Sequence, residues 1–174
     1  MTTGLRGRMP QTRDPASTVP LTRDPRPATE RPIETEYRPR TPVDTHRAIA
    51  VQQRGAHDPA QLQHGGVIWR ASRTPAGVAT LAVRVERTRI RAAAWGPGAE
   101  WALDQLPHLC GADDDPTGFD PRHHALIADA HRRHPDLRLG RTDLVFDALA
   151  SAIFEQKVTG LQAFGAWRMI LTWC

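Results

Sequence analysis

The chain has 174 residues, 40% of them hydrophobic, and a formal charge of +4. That length supports one domain of ordinary size or two small ones. It contains no stretch as long as a membrane span, no apolar segment behind its N-terminal arginines of the kind a secretory signal needs, and only two cysteines, Cys110 and Cys174, which form neither a metal-ligand pattern nor a disulfide framework.

A cytoplasmic location is therefore expected. The charge by itself does not name a partner. Residues 1–43 carry eight arginines against five acids, whereas residues 44–174 carry 15 Lys and Arg against 14 acids. The surplus sits in the N-terminal tail, and the excess of arginine and alanine is what a GC-rich genome produces.

Residues 1–43 hold eight of the 15 prolines and the near-repeat TRDPAS/TRDPRP. Their apolar content is too low to bury a core, so the segment is expected to be a disordered Pro/Arg-rich tail. Residues 44–112 read as a small α+β domain. GVIWRAS (66–72) is a strand, and RTPAG (73–77) is a turn with Pro and Gly where turns use them. In VATLAVRVE (78–86), Leu81, Val83 and Val85 alternate with their neighbours as in a half-buried strand. RTRIRAAAW (87–95) continues as a third strand, Gly96-Pro97-Gly98 interrupts the chain, and AEWALDQL (99–106) reads as an amphipathic helix stopped by Pro107. The sum is a small antiparallel sheet with a helix.

Residues 113–174 read as an incomplete helical domain. Asp120 as N-cap and Pro121 at the first helical position predict a helix of about four turns ending at Pro135. LVFDALASAIFEQ (144–156) places Phe146, Leu149 and Ile153 on one face with Phe154 alongside, and predicts a central helix. Thr159-Gly160-Leu161-Gln162 fits a capping box that opens a further helix carrying Leu161, Phe164 and Leu171. Gln156 to Val158 then form a short corner between two helices. Lys157, the only lysine beside 22 arginines, stands in it. On spacing alone this is an ordinary αα-turn.

Chemical motifs are sparse. Gly96-Pro97-Gly98 does not extend to a phosphate-binding pattern, and no GxSxG elbow occurs. His123, His124, His131 and His134 share one expected helix without a carboxylate or cysteine in a ligand pattern, so a solvated His/Arg face is expected and no metal is assigned. Asp113-Asp114-Asp115 reads as a solvated loop. Trp69, Trp95 and Trp101 read as core residues of the α+β unit.

From about Pro42 to Ile170 the sequence resembles the DNA-3-methyladenine glycosylase II family of the helix-hairpin-helix DNA glycosylase superfamily. HPDLRLGRTDLVFDALASAIFEQKVT resembles the segment that leads into that family's catalytic helical domain and ends in Gln-x-Val-Ser. Pro42-Val43-Asp44, the small sheet and the helix opening with Pro121 follow in the family's order, and GGVIWRASRTPAG resembles the N-terminal domain of actinobacterial members. The resemblance implies excision of alkylated bases from double-stranded DNA by hydrolysis of the N-glycosidic bond, with no cofactor, by a nucleoid-associated monomer that does not engage membranes. It also implies that the corner enters the minor groove, with Gln156 and Thr159 matching the family's Gln and Ser. Lys157 falls where a bulky apolar residue ordinarily fills the gap left by a flipped nucleotide. A lysine there can insert its stem and set its ammonium on phosphate.

The family's hairpin and catalytic Asp have no counterpart up to Cys174. Asp143 and Asp147 precede the corner and do not match the catalytic position. The 174-residue chain is therefore expected to be an inactive N-terminal fragment, as a frameshift or early stop would produce. The alternative is a non-catalytic DNA-binding or regulatory fragment of the alkylation response.

Overall fold

Apolar–polar alternation through residues 67–95 is the origin of the sheet. In the computed structural model, which describes residues 31–173, five strands are joined antiparallel in the order β1-β5-β4-β3-β2. They are β1 (Ile33–Tyr37), β2 (Gln61–His64), β3 (Val67–Thr74), β4 (Gly77–Val85) and β5 (Ile90–Trp95). Register sets Ile68 opposite Val83, and Leu81 opposite Ala94. Because side chains alternate across a strand, Ile68, Leu81, Val83, Ile90, Ala92 and Ala94 all face one way. They meet Ile49 of α1 (Thr45–Ala50), Leu103 of α2 (Ala99–Asp104), Leu106 and Leu109 of α3 (Leu106–Leu109), and Cys110. The opposite face carries Trp69 and Trp95, stacked with ring centroids 5.7 Å apart beside buried Ala82. Trp101 is only half-buried.

The α+β class expected from the sequence is thus the class of the fold. Several local expectations are corrected. Residues 33–37 lie inside the segment expected to be a disordered tail, yet they pair with β5 as an edge strand. In IETEY, Ile33, Thr35 and Tyr37 alternate with two glutamates, a strand signal masked by the Pro/Arg composition around it. Tyr37 packs on the core, and Glu36 is paired with Arg38 and Arg89. Residues 1–30 of the same tail lie outside the described residues. β2 was not anticipated; four residues and the two-residue turn Gly65-Gly66 are too short a pattern to stand out.

Pro107 does not end the helix before it. Its missing N–H falls in the first turn of α3, where no intrahelical partner is needed, and the chain bends at Gln105 instead. The four-turn helix is shorter than expected. Asp120 caps a 3₁₀ turn (Pro121–His123), accepting from the Arg122 amide at 3.0 Å, and α4 (Ala125–Arg133) starts only after His124, whose ring nitrogen accepts from the Leu126 amide at 3.2 Å.

Two further helices, α5 (Val145–Phe154) and α6 (Gly160–Trp173), complete the described residues. The expectation that α5 is central is overturned. Ser151 is its one buried residue, and Phe146 is 80% exposed. An apolar pattern gives a helix the capacity for burial, but burial itself needs packing partners, and the described residues set none over Phe146, Leu149 and Ile153.

Candidate nucleic-acid interface

The corner between α5 and α6 takes its shape from its two helix ends. The Gln156 amide donates to the Ile153 carbonyl at 3.2 Å, closing the last turn of α5. Lys157 then adopts φ = 55°, the left-handed conformation in which many helices end and for which glycine is the usual residue. For a residue with a Cβ this conformation costs about 1–2 kcal/mol. After Val158 the expected capping box forms. The Thr159 amide donates to Gln162 Oε1 at 3.0 Å, and the Gln162 amide donates to Thr159 Oγ1 at 3.4 Å. Gln156, Lys157, Val158 and Thr159 are all exposed. Lys157 forms no ion pair among the described residues, so its ammonium is available to an anionic partner.

Both arms of the corner are anchored to the sheet unit by residues the sequence reading did not single out. Arg54, in the loop after α1, donates to Ser151 Oγ at 3.0 Å and to the Val51 carbonyl at 3.0 Å, and lies 3.6 Å from Glu155. Its own backbone is held by buried Asp58, which accepts from the amides of Arg54 at 2.7 Å and Ala60 at 2.9 Å. Asp58 before Pro59 is a turn signature that could have drawn attention to this loop. On the α6 side, Ala163 is buried and Phe164 covers Gly55. That glycine has φ = 82°, and a Cβ built on it would lie 2.9 Å from the Phe164 ring. Trp167 completes the wall of a cavity of about 50 Å³ lined also by Arg70, Gln61 and Asp147. Desolvation pulls the Arg70 pKa below the ordinary arginine value, while the nearby Asp147 and Asp58 carboxylates act to raise it. Arg70 donates to Gln61 Oε1 at 2.9 Å, and Gln61 in turn donates to the Ile49 carbonyl at 3.0 Å.

The segment leading into α5 is clamped as well, by the loop Asp113-Asp114-Asp115, which is solvated as expected, with Asp113 and Asp115 exposed. Asp113 binds His108 at 2.5 Å and Arg141 at 3.0 Å; Asp114 accepts from the Leu139 amide at 2.8 Å; Asp115 caps the 3₁₀ turn Pro116–Gly118 through the Thr117 amide at 3.0 Å. Two of these partners, Leu139 and Arg141, lie 25 and 28 positions along the chain from the carboxylates they engage. Between those partners Gly140 passes so close to α3 that a Cβ on it would stand 2.2 Å from the Leu109 carbonyl oxygen. Gln105 donates its side-chain amide to the Arg141 carbonyl and fixes the same strip.

The four histidines of the α4 region do not converge. His124 caps the helix, His131 packs edge-on against Phe119 with centroids 5.7 Å apart, His134 lies 3.4 Å from Arg47, and His123 is 3.9 Å from Asp120. Among the described residues no three His, Cys, Asp or Glu side chains come together as a metal site would require. Asp143 pairs with Arg141 at 2.7 Å and, like Lys157, has a positive φ of 56°.

The described residues thus form a five-stranded antiparallel sheet backed by helices and followed by a helix–corner–helix. The solved structure of a 3-methyladenine DNA glycosylase from Archaeoglobus fulgidus superposes with a TM-score of 0.54 at 15% sequence identity, over 75% of this chain and 47% of that one. The chain thus spans about half the length of the structure it matches. No family model matches the sequence, and no curated protein matches it. The relationship to the glycosylase fold is distant and rests on structure.

Proposed function

We propose that this protein belongs to base-excision repair of alkylated DNA, and that Gln156, Lys157 and Thr159 contact double-stranded DNA from the corner between α5 and α6. The observation that carries the reading is a lysine held in a left-handed conformation, exposed and without an ion pair among the described residues, on a corner of a glycosylase-like fold. Glycine would form that corner at lower conformational cost. Backbone strain kept at an exposed position points to a use for the side chain. In a minor groove the lysine stem can lie against the walls while the ammonium meets phosphate oxygens, and the Gln156 amide can donate to or accept from base edges.

The reaction proposed for the whole protein is hydrolysis of the N-glycosidic bond of 3-methyladenine-type bases, with the protein acting as a cytoplasmic, nucleoid-associated monomer. Such chemistry requires a carboxylate to stabilise the developing oxocarbenium ion, and none of residues 31–173 is assigned that role. Asp143 is neutralised by Arg141, and Asp147 lies beside Arg70. DNA binding is therefore the activity expected of the 174-residue chain itself.

The test is a duplex-binding titration with the purified chain at about 50 and 200 mM salt, since phosphate contacts release counterions and weaken as salt rises, run beside an assay for release of 3-methyladenine. Salt-dependent binding without base release supports the proposal. No binding at the lower salt overturns the DNA contact, and base release overturns the assignment of inactivity.

A further inference from the structure

The face of the sheet that turns away from the core carries a pair of cations without an anionic partner among the described residues. Register sets Arg84 of β4 directly opposite Arg91 of β5. Alternation puts both on the face of Trp69, Ala82 and Ala93, and both are exposed. Like charges directly opposite one another destabilise a strand pair. Glu36, which faces Arg91 from β1, does not relieve this one: one of its oxygens is bound to Arg38 at 2.7 Å and the other to Arg89 at 3.0 Å. The two arginines line a groove of about 410 Å³. One row further along the sheet its floor is the small pair Ala82 and Ala93, flanked by Trp69 on β3 and Glu34 on β1. Glu34 is exposed and has no ion pair among the described residues.

We propose that this groove binds an organic phosphate monoester bearing hydroxyl groups, with its phosphate between Arg84 and Arg91. Guanidinium forks match phosphate oxygens two at a time. A monoester carries about −1.5 to −2 charges at pH 7, enough to neutralise both arginines at once. A carboxylate, or a phosphodiester in a nucleic-acid backbone, brings a single charge and leaves the pair half-compensated. The organic body lies over the two alanines, where the absence of larger side chains gives it room. Its apolar edge meets Trp69, and its hydroxyls donate to the Glu34 carboxylate. The same carboxylate repels a body that is itself anionic. The site does not rest on the DNA contact proposed for the corner between α5 and α6.

The experiment is an NMR titration of the isotope-labelled 174-residue chain with adenosine 5′-monophosphate, ribose 5-phosphate, inorganic phosphate and adenosine in turn. The expected result is that at least one monoester shifts the amides of residues 82–84 and 91–93. That monoester should bind about tenfold tighter than either inorganic phosphate or adenosine, each of which supplies only part of the contact. Binding of adenosine 5′-monophosphate alone assigns a nucleotide, and binding of ribose 5-phosphate assigns a sugar phosphate. Arg84→Ala and Arg91→Ala should each weaken that binding about tenfold, the low end for a hydrogen bond to a charged group. Arg84→Lys, which keeps the charge but not the fork, should recover only part of the loss. Each alanine variant relieves the repulsion between the two arginines, so its thermal midpoint should equal or exceed that of the wild type, which separates lost binding from lost folding. Equal affinity for inorganic phosphate and both monoesters overturns the organic ligand. No shifts at these residues, or affinity unchanged in both alanine variants, overturns the site.

Discussion

Replacing Arg54 by alanine removes the main polar clamp between the sheet unit and α5, and the structure allows its size to be worked out. The guanidinium donates to Ser151 Oγ at 3.0 Å in a largely desolvated setting and to the Val51 carbonyl at 3.0 Å nearer the surface. A hydrogen bond from a charged donor contributes about 1.5–3 kcal/mol when withdrawn from water, and an exposed one roughly 0.5–1 kcal/mol. The contact with Glu155 is long at 3.6 Å, and Glu155 is nearly half exposed, so solvent screening holds it to about 0–1 kcal/mol. Ser151 keeps its bond to the Ala148 carbonyl, so its hydroxyl is not orphaned. Arg54→Ala should therefore lower stability by about 2–5 kcal/mol. Arg54→Lys should recover less than half, since one ammonium cannot reproduce the fork. Urea unfolding gives the total, and native-state hydrogen exchange at residues 148–155 should show the loss concentrated in α5. A loss below about 0.5 kcal/mol, within the range of an ordinary surface substitution, would refute the claim that Arg54 fixes the corner to the fold.

Three further outcomes follow from the same structure. Burial pushes the Cys110 thiol from its ordinary 9.0 up to about 12, outweighing the opposing influence of the nearby Thr45 hydroxyl. Between those values the unfolded chain has lost a proton that the folded chain keeps, so this contribution is fully present below pH 9 and stability falls above it, by up to about 1.4 kcal/mol per pH unit. Cys110→Ala should flatten that slope in urea midpoints taken at increasing pH above 9, and equal slopes in both proteins would count against the burial argument. Thr159→Ala should cost about 1 kcal/mol by opening the capping box, with Thr159→Ser nearly neutral; thermal unfolding of both variants decides it. Gly140→Ala should cost about 1–3 kcal/mol because the added methyl collides with the Leu109 carbonyl, and a neutral result would show that the 137–141 strip is free to move aside.

The elements legible in the sequence were those whose signal is local. Alternation in VATLAVRVE gave β4, Thr159 and Gln162 gave the cap of α6, and the break at Gly96-Pro97-Gly98 separated sheet from helix. β1 was missed because its partner, β5, is more than 50 residues away, and only that pairing turns IETEY from tail into edge strand. Burial of α5 was overestimated because apolar spacing reports what a helix can bury, and Phe146 remains exposed among the described residues. The corner at Gln156–Thr159 was visible from its polar residues. Its left-handed lysine and its anchor at Arg54 depend on long-range geometry that spacing does not encode.

The most direct test of the account is an NMR titration of the isotope-labelled 174-residue chain with a short DNA duplex at low salt. The DNA contact proposed for the corner predicts that the amides of residues 155–160 shift first and most, that the shifts diminish as salt rises, and that Trp69 and Trp95 on the far sheet face stay unchanged. Shifts centred on the sheet face, or none at the corner under conditions where the duplex binds, would contradict it.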